Sequence, residues 1–334
     1  MSPAKTAAPS KSSAIPVSPT LPSATSLAGD ASPSNPDVLR TLYSVLLKTR
    51  LLEEQVLSLL RAGLIPGTPV PLLGGEATEV GALIGLQADD SFASSLPKLA
   101  AHVVRNTPLP RVFAELFHHE ASPDAASTNS PAPSGHLVPQ TSSVTGQLNI
   151  AAGVALAYRQ LGKPNVVLAL ADDGLAALGF WHEAASLASR HRLPLVFMVE
   201  NCAQSHPNST GAVHSDEDLR DRAEAYGFPG ITVDGNDIVA VWRVTQESIH
   251  RARSGAGPTL IECRTWRWHA EAGSPASNGN LGSLQQHDPL HHMEHYMKKR
   301  KLWKQSWKDE LESSYRRALS AAVRSARNGS PSDK

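Results

Sequence analysis

Two short polar clusters follow apolar runs in the middle of the chain, and their residue types suit the handling of a phosphorylated ligand. Val166–Leu170 leads into Ala171-Asp172-Asp173-Gly174, and Leu195–Val199 leads into Glu200-Asn201-Cys202. Carboxylate and amide oxygens are hard donors for a divalent cation, which in turn bridges readily to a phosphate ester. Taken alone, the same residues also read blandly, Asp-Asp-Gly as a turn and Asn201 as the start of a loop. A second candidate is the run His287, His291, His292 and His295. His291 and His295 stand one helical turn apart and could chelate zinc. No glutamate occupies the second position of a His-Glu-x-x-His motif, and a solvated or partner-facing helix is the preferred reading.

The two polar clusters need a scaffold that brings them side by side. Ile150–Tyr158 reads as a helix of small residues, Asn165–Ala171 as a buried strand, Phe180–Arg190 as a helix and Leu195–Val199 as a second buried strand. Strand Ile231–Val233, helix Ile238–Arg253 and strand Thr259–Arg264 continue the alternation. Strands apolar on both faces, joined by helices, predict a mostly parallel sheet covered on each side. The expected fold class is α/β, doubly wound, with C-terminal helices. In such sheets ligands bind outside the carboxyl ends of the strands, which is where both polar clusters fall.

The flanks are helical. Leu39, Leu42, Val45, Leu46, Leu52, Val56 and Leu59 recur at helical spacing before a glycine stop at Gly63. A second helix is expected over Glu76–Leu86, after the turn residues Gly74-Gly75. Asp288-Pro289 opens a further helix, with aspartate as cap and proline in the first helical position. The last helix ends near Arg327. Residues 1–35 are Ser-, Pro- and Ala-rich and are expected to be a disordered tail, as are 328–334 at the other end. Residues 36–327 form the expected single domain, with 122–134 as a surface loop.

Composition narrows the function classes. The chain has 334 residues, with 31 basic and 31 acidic side chains. That balance lacks the broad positive field of a nucleic-acid binder. Cys202 and Cys263 are its only cysteines and are expected to be reduced thiols. No apolar run approaches the roughly 20 residues of a membrane span, and no secretory signal is evident, so a cytoplasmic protein is expected. A Gly-x-Ser-x-Gly elbow is also missing, which argues against an α/β hydrolase.

An acid-glycine turn about 28 residues before Asn201 resembles the thiamine-diphosphate motif, whose family form is Gly-Asp-Gly followed by Asn-Asn. Leu73-Gly74-Gly75-Glu76-Ala77, Phe113-Ala114-Glu115-Leu116-Phe117 and Ala151-Ala152-Gly153-Val154-Ala155-Leu156-Ala157 agree with it in order. So do Leu193-Pro194-Leu195-Val196-Phe197, Thr265-Trp266-Arg267-Trp268-His269 and the closing Asp288-Pro289-Leu290, Tyr296 and Leu302-Trp303. Over about residues 38 to 325 the chain resembles alpha subunits of thiamine-diphosphate-dependent 2-oxo acid dehydrogenases, the pyruvate, branched-chain and acetoin first components.

The resemblance implies thiamine diphosphate and Mg2+ as cofactors, a beta subunit completing an α2β2 tetramer, and acyl transfer to a lipoyl domain of an acyltransferase component. It places Asp173 on the metal, Cys202 at the position of the second metal-ligating asparagine, and Gln204 at a metal-binding backbone carbonyl. Asn201 is a possible substitute ligand if the strand end bends. Gly174 and Leu175 offer backbone amides to the diphosphate, and Val144 matches a backbone contact to the aminopyrimidine. His136, Gln147 and Arg267 are further cofactor-binding candidates. The family pattern is departed from at Val70, at Leu96-Pro97 where a diphosphate-binding arginine is expected, and at Glu271, which takes the family's histidine position. No catalytic residue is therefore assigned, and Lys98 is the nearest cation to replace the missing arginine. The implied activity is oxidative decarboxylation of pyruvate or a branched-chain 2-oxo acid. The alternative is a catalytically impaired paralogue that acts as scaffold or regulator of such a complex.

Overall fold

The computed structural model describes residues 35–65, 73–94, 98–117, 138, 146–174, 178–202, 219–268 and 286–327. Five parallel strands form one sheet in the order β1-β2-β3-β5-β4: β1 Ser91–Ser94, β2 Val167–Asp172, β3 Leu195–Cys202, β4 Gly230–Asp234 and β5 Thr259–Thr265. Four of these strands, β2 to β5, coincide closely with the strands read from sequence. β1 was not anticipated, because Ser-Phe-Ala-Ser carries no apolar run; its pairing with Val167–Leu170 makes it a strand.

Successive side chains of a strand point to opposite faces, so each central strand feeds two cores. Leu168, Leu170, Val196, Met198, Ile261 and Cys263 face one layer, while Val167, Ala169, Ala171, Leu195, Phe197, Val199 and Leu260 face the other. On the second face lie helices α5 (Gly146–Gln160), α6 (Gly179–Arg190) and α7 (Leu219–Ala225). The first face holds α1 (Pro36–Arg61), α2 (Glu76–Leu83), α3 (Leu99–Val104), α4 (Leu109–Phe117), α8 (Ile238–Arg253), α9 (Pro289–Lys299) and α10 (Gln305–Arg327).

The distribution follows from the handedness of the crossovers. The step β2–α6–β3 moves along the sheet in one direction and β4–α8–β5 in the other. A right-handed crossover then requires their helices on opposite faces, as found. The next described helix after β3 is α7 on the second face, and the next after its neighbour β5 is α9 on the first. In open α/β sheets, the carboxyl ends of the strands at such a change of side are where ligands bind.

Side-chain caps fix several helix starts, of which Asp288 is the one expected from the sequence. Asn35 Oδ1 accepts from Asp37 N at 2.9 Å with Pro36 in the first turn, and Asp288 Oδ1 accepts from Leu290 N at 3.1 Å with Pro289 beside it. Asp237 caps α8 through Val239 N and Ala240 N. α1 is buried on nearly every side because α2 and α3 flank it toward the sheet while α9 and α10 cover it from outside. Tyr43 of α1 packs at 4.9 Å from Trp303 and donates its hydroxyl to Glu294 at 3.0 Å, which ties that outer layer down.

Candidate functional site

The polar clusters at the ends of β2 and β3 are adjacent, with Asp172 in register with Glu200. Beyond β2 the chain turns, and Asp173 Oδ1 accepts from the Gly174 amide at 2.8 Å. A Cβ added at Gly174 would meet nothing within 4 Å among the described residues. Cys202 is the last residue of β3 and is buried. Asn201 points the other way, and its Nδ2 donates to Glu262 Oε1 at 2.7 Å, an acceptor that also takes the Thr232 hydroxyl at 3.1 Å on its other oxygen. Arg267, two residues past β5, reaches across to both clusters.

Arg267 belongs to a line of alternating charges. Its Nη2 lies 2.8 Å from Glu200 Oε2 and 3.3 Å from Asp172 Oδ1. Lys98 Nζ lies 3.0 Å from the same Glu200 oxygen and 3.0 Å from Glu79 Oε1. The sequence suggested Lys98 as a free replacement cation; the structure instead turns it inward, with 2% of its side chain exposed, between two carboxylates. Burial disfavours its charge, yet Glu200 and Glu79 together outweigh burial and raise its pKa. Arg267 is treated in the same way, burial opposing and Glu200 and Asp172 prevailing. Its Nε is buried and has no hydrogen-bond partner among the described residues.

Glu79 ends the line on the inside. It is fully enclosed, and apart from Lys98 Nζ at 3.0 Å from Oε1 its carboxylate has no partner among the described residues. Burial, with Glu200 adding repulsion and Lys98 opposing, pushes its pKa up to about 7. Sequence reasoning passed over Glu79. The available signal was a second glutamate three residues after Glu76, and so on the same face, in a helix otherwise composed of small and apolar residues.

A second buried ion cluster stands beside the first. Arg50 forks onto both oxygens of Glu76, with Nη2 3.0 Å from Oε2, and the same Nη2 reaches Asp288 Oδ1 at 3.0 Å. Glu76 Oε2 also accepts from Gly74 N at 3.0 Å, and the guanidinium lies 4.1 Å from the Trp268 ring. Trp268 N donates to Leu73 O at 2.8 Å, and Asn236 Nδ2 donates to Gly74 O at 2.6 Å. This clamp fixes the Leu73–Glu76 turn against the Trp266–Trp268 segment, and so fixes the backbone that carries Arg267.

The remaining candidates divide in two. Gln147 is buried at the start of α5 with its Nε2 3.4 Å from Val138 O, on the face of the sheet away from Lys98. Val144, Leu175, Gln204, His136 and Glu271 lie outside the described residues, as do Val70 and Leu96-Pro97. In the histidine-rich segment, His287 stacks on Trp266 at 4.5 Å and His292 bonds Gln286 O. Among the described residues no three His, Cys, Asp or Glu side chains are grouped to hold a metal ion. Neither cysteine forms a disulfide, and both are buried. No helix of the described residues is long and apolar enough to cross a membrane.

Comparison with known proteins agrees with this architecture. The family described as "Dehydrogenase E1 component" matches residues 44–333. The chain is 32% identical over 229 residues to the alpha subunit of acetoin:2,6-dichlorophenolindophenol oxidoreductase of Bacillus subtilis, covering 68% of this chain and 69% of that protein. It is 28% identical over 289 residues to the pyruvate dehydrogenase E1 component subunit alpha of Staphylococcus aureus, covering 84% and 75% respectively. With the 2-oxoisovalerate dehydrogenase subunit alpha of Bacillus subtilis it shares 29% over 295 residues, 85% of this chain and 88% of that one.

Proposed function

The chain belongs to the dehydrogenase E1 component family, and from that premise we propose that it is the alpha subunit of a 2-oxo acid dehydrogenase first component. It works in the cytoplasm with a beta subunit, as an α2β2 heterotetramer, on pyruvate or a branched-chain 2-oxo acid. The acyl product passes to a lipoyl domain. The observation that carries this reading is the meeting of Asp172-Asp173-Gly174, Cys202 and Arg267 at the carboxyl ends of β2, β3 and β5.

The residues present offer places for the cofactor. Thiamine diphosphate, when bound, supplies the carbanion chemistry that releases carbon dioxide from a 2-oxo acid; the protein supplies orientation and charge placement. Arg267 is a fixed cation whose buried Nε has no acceptor among the described residues, the kind of donor that an anionic oxygen satisfies. Gly174, which no described residue crowds at its Cβ position, would let a ligand come close to the backbone. Asp173 is a hard oxygen donor suited to Mg2+ beside the diphosphate, whereas the Cys202 thiol is a poor magnesium ligand. Asp173 and Arg267 would therefore carry most of the side-chain recognition from this chain, and the partner subunit would complete the enclosure.

The test is calorimetric titration of thiamine diphosphate with Mg2+ into the chain co-purified with its beta subunit. Micromolar affinity that is abolished by Asp173→Ala is expected, followed by turnover in a screen of 2-oxo acids. Failure to bind at any metal concentration would overturn the proposal.

A further inference from the structure

We propose that Lys98 and Glu79 are positioning residues for Arg267, and that one proton on Glu79 sets how strongly an anionic ligand is held at the strand ends. The inference rests on the reading above, that a diphosphate is bound beside Arg267. Its basis is a row of five side chains drawn from five parts of the chain. Glu79 of α2, Lys98 before α3, Glu200 of β3, Arg267 after β5 and Asp172 of β2 follow one another at 3.0, 3.0, 2.8 and 3.3 Å. The Lys98 ammonium is shared between Glu79 and Glu200, and Glu200 in turn holds Arg267.

Three carboxylates against two cations leave one negative charge in excess. A buried charge without full pairing is relieved most readily by taking up a proton. Asp172 is the most exposed of the three carboxylates, and Glu200 is held by two cations through one oxygen. Glu79 is 1% exposed and pairs with one cation, Lys98, and its carboxylate has no further partner among the described residues, so the proton goes there. Other groups around α2 do not replace it. Arg50 of α1 and Glu76 satisfy one another, Glu53 of α1 is likewise engaged, and α8 presents the uncharged Val241, Trp242 and Gln246. On α3, burial lowers the pKa of His102, which keeps it neutral, and on β5 burial raises that of the Cys263 thiol, which does the same.

With Glu79 neutral the row is balanced, and an anion approaching Arg267 meets no net opposing charge. Once Glu79 ionises, the row is negative by one and the anion is disfavoured. Linkage then requires the reverse effect: binding an anion at Arg267 raises the affinity of Glu79 for its proton, so binding takes up protons near neutrality.

The experiment uses the complex with the co-expressed beta subunit and titrates thiamine diphosphate with Mg2+ from about pH 6 to about pH 8. Buffers of different ionisation enthalpy give the proton count. Wild type is compared with Glu79→Gln and, should that variant fold poorly, Glu79→Met. The expected result is a loss of affinity with rising pH on the order of tenfold greater in wild type, the equivalent of a one-unit shift of the Glu79 pKa on binding. The variants should also lack the extra proton uptake. Binding with the same pH dependence and proton count in all three proteins overturns this inference alone. No binding by any of them at any pH overturns the cofactor reading and this inference together.

Discussion

Glu76 and Glu79 stand three residues apart on one face of α2, equally buried, and their surroundings treat them in opposite ways. Arg50 grips both oxygens of Glu76, and Gly74 N adds a third donor. Glu79 meets only the end of a lysine that is shared with Glu200. A guanidinium is a planar fork that matches a carboxylate, whereas an ammonium is a point charge that leaves the remaining lone pairs unsatisfied. The comparison teaches that depth of burial does not decide whether an acid is structural or titratable. The number and direction of donors decide it. The Glu76 clamp holds the scaffold of the site, and the Glu79 row reaches into the site itself.

The comparison breaks most visibly if the clamp is removed. Glu76→Ala leaves Arg50 as a buried charge with only Asp288, and the expected loss is about 3–5 kcal/mol. A lower denaturation midpoint at unchanged slope reads it; a loss under about 1 kcal/mol would mean that the clamp is not structural.

Next in size is the pH dependence of Glu79. Its folded pKa, about 7, lies above the ordinary 4.5. An acid so raised costs nothing below pH 4.5, where both folded and unfolded states are protonated. Between 4.5 and about 7 the unfolded chain releases a proton that the folded one keeps, so stability falls as pH rises through this window and then levels off. Glu79→Gln removes that fall. At about pH 8 the variant should exceed wild type by up to about 3 kcal/mol, at roughly 1.4 kcal/mol per pKa unit, and the gap should close toward about pH 4. Unfolding curves taken across that range that stay parallel would place Glu79 in the same class as Glu76.

Two smaller changes sharpen the contrast. Gly74 has φ of +95°, and an added Cβ would lie 2.7 Å from Trp268 Cδ1. Gly74→Ala should cost about 1–3 kcal/mol through backbone strain and displacement of Trp268, visible as a lower melting temperature and altered tryptophan emission. Arg316→Ala removes a bond to Glu54 at 3.1 Å between half-exposed side chains. It should change stability by at most about 0.5 kcal/mol, the value for a solvated pair and the baseline against which the buried clusters are judged.

Much of the fold was legible in the chain itself. Val167–Leu170 and Leu195–Val199 are apolar on both faces because helices cover both, and a continuous apolar run records that double burial. Asp288-Pro289 announced a helix start through the chemistry of its own first turn. β1 was silent, since its four residues become a strand only by pairing with β2 some 76 positions away, a spacing marked by Asp90 Oδ1 accepting from Val166 N at 2.9 Å. The candidate site was legible where a strand end coincided with a polar cluster, as at Asp172–Gly174 and Glu200–Cys202. It was illegible at Lys98, whose partner Glu200 is 102 residues distant.

The sequence by itself therefore determined the alternating strands and helices, the caps and the position of the polar clusters at strand ends, because each depends on neighbours within a few residues. Only the tertiary structure decided which charges face one another. The strand order β1-β2-β3-β5-β4 brings residues 79, 98, 172, 200 and 267 into one row, and from that row follow the inward turn of Lys98 and the raised pKa of Glu79. Coulomb interaction and desolvation depend on distance in space, and no local pattern of residues encodes that distance.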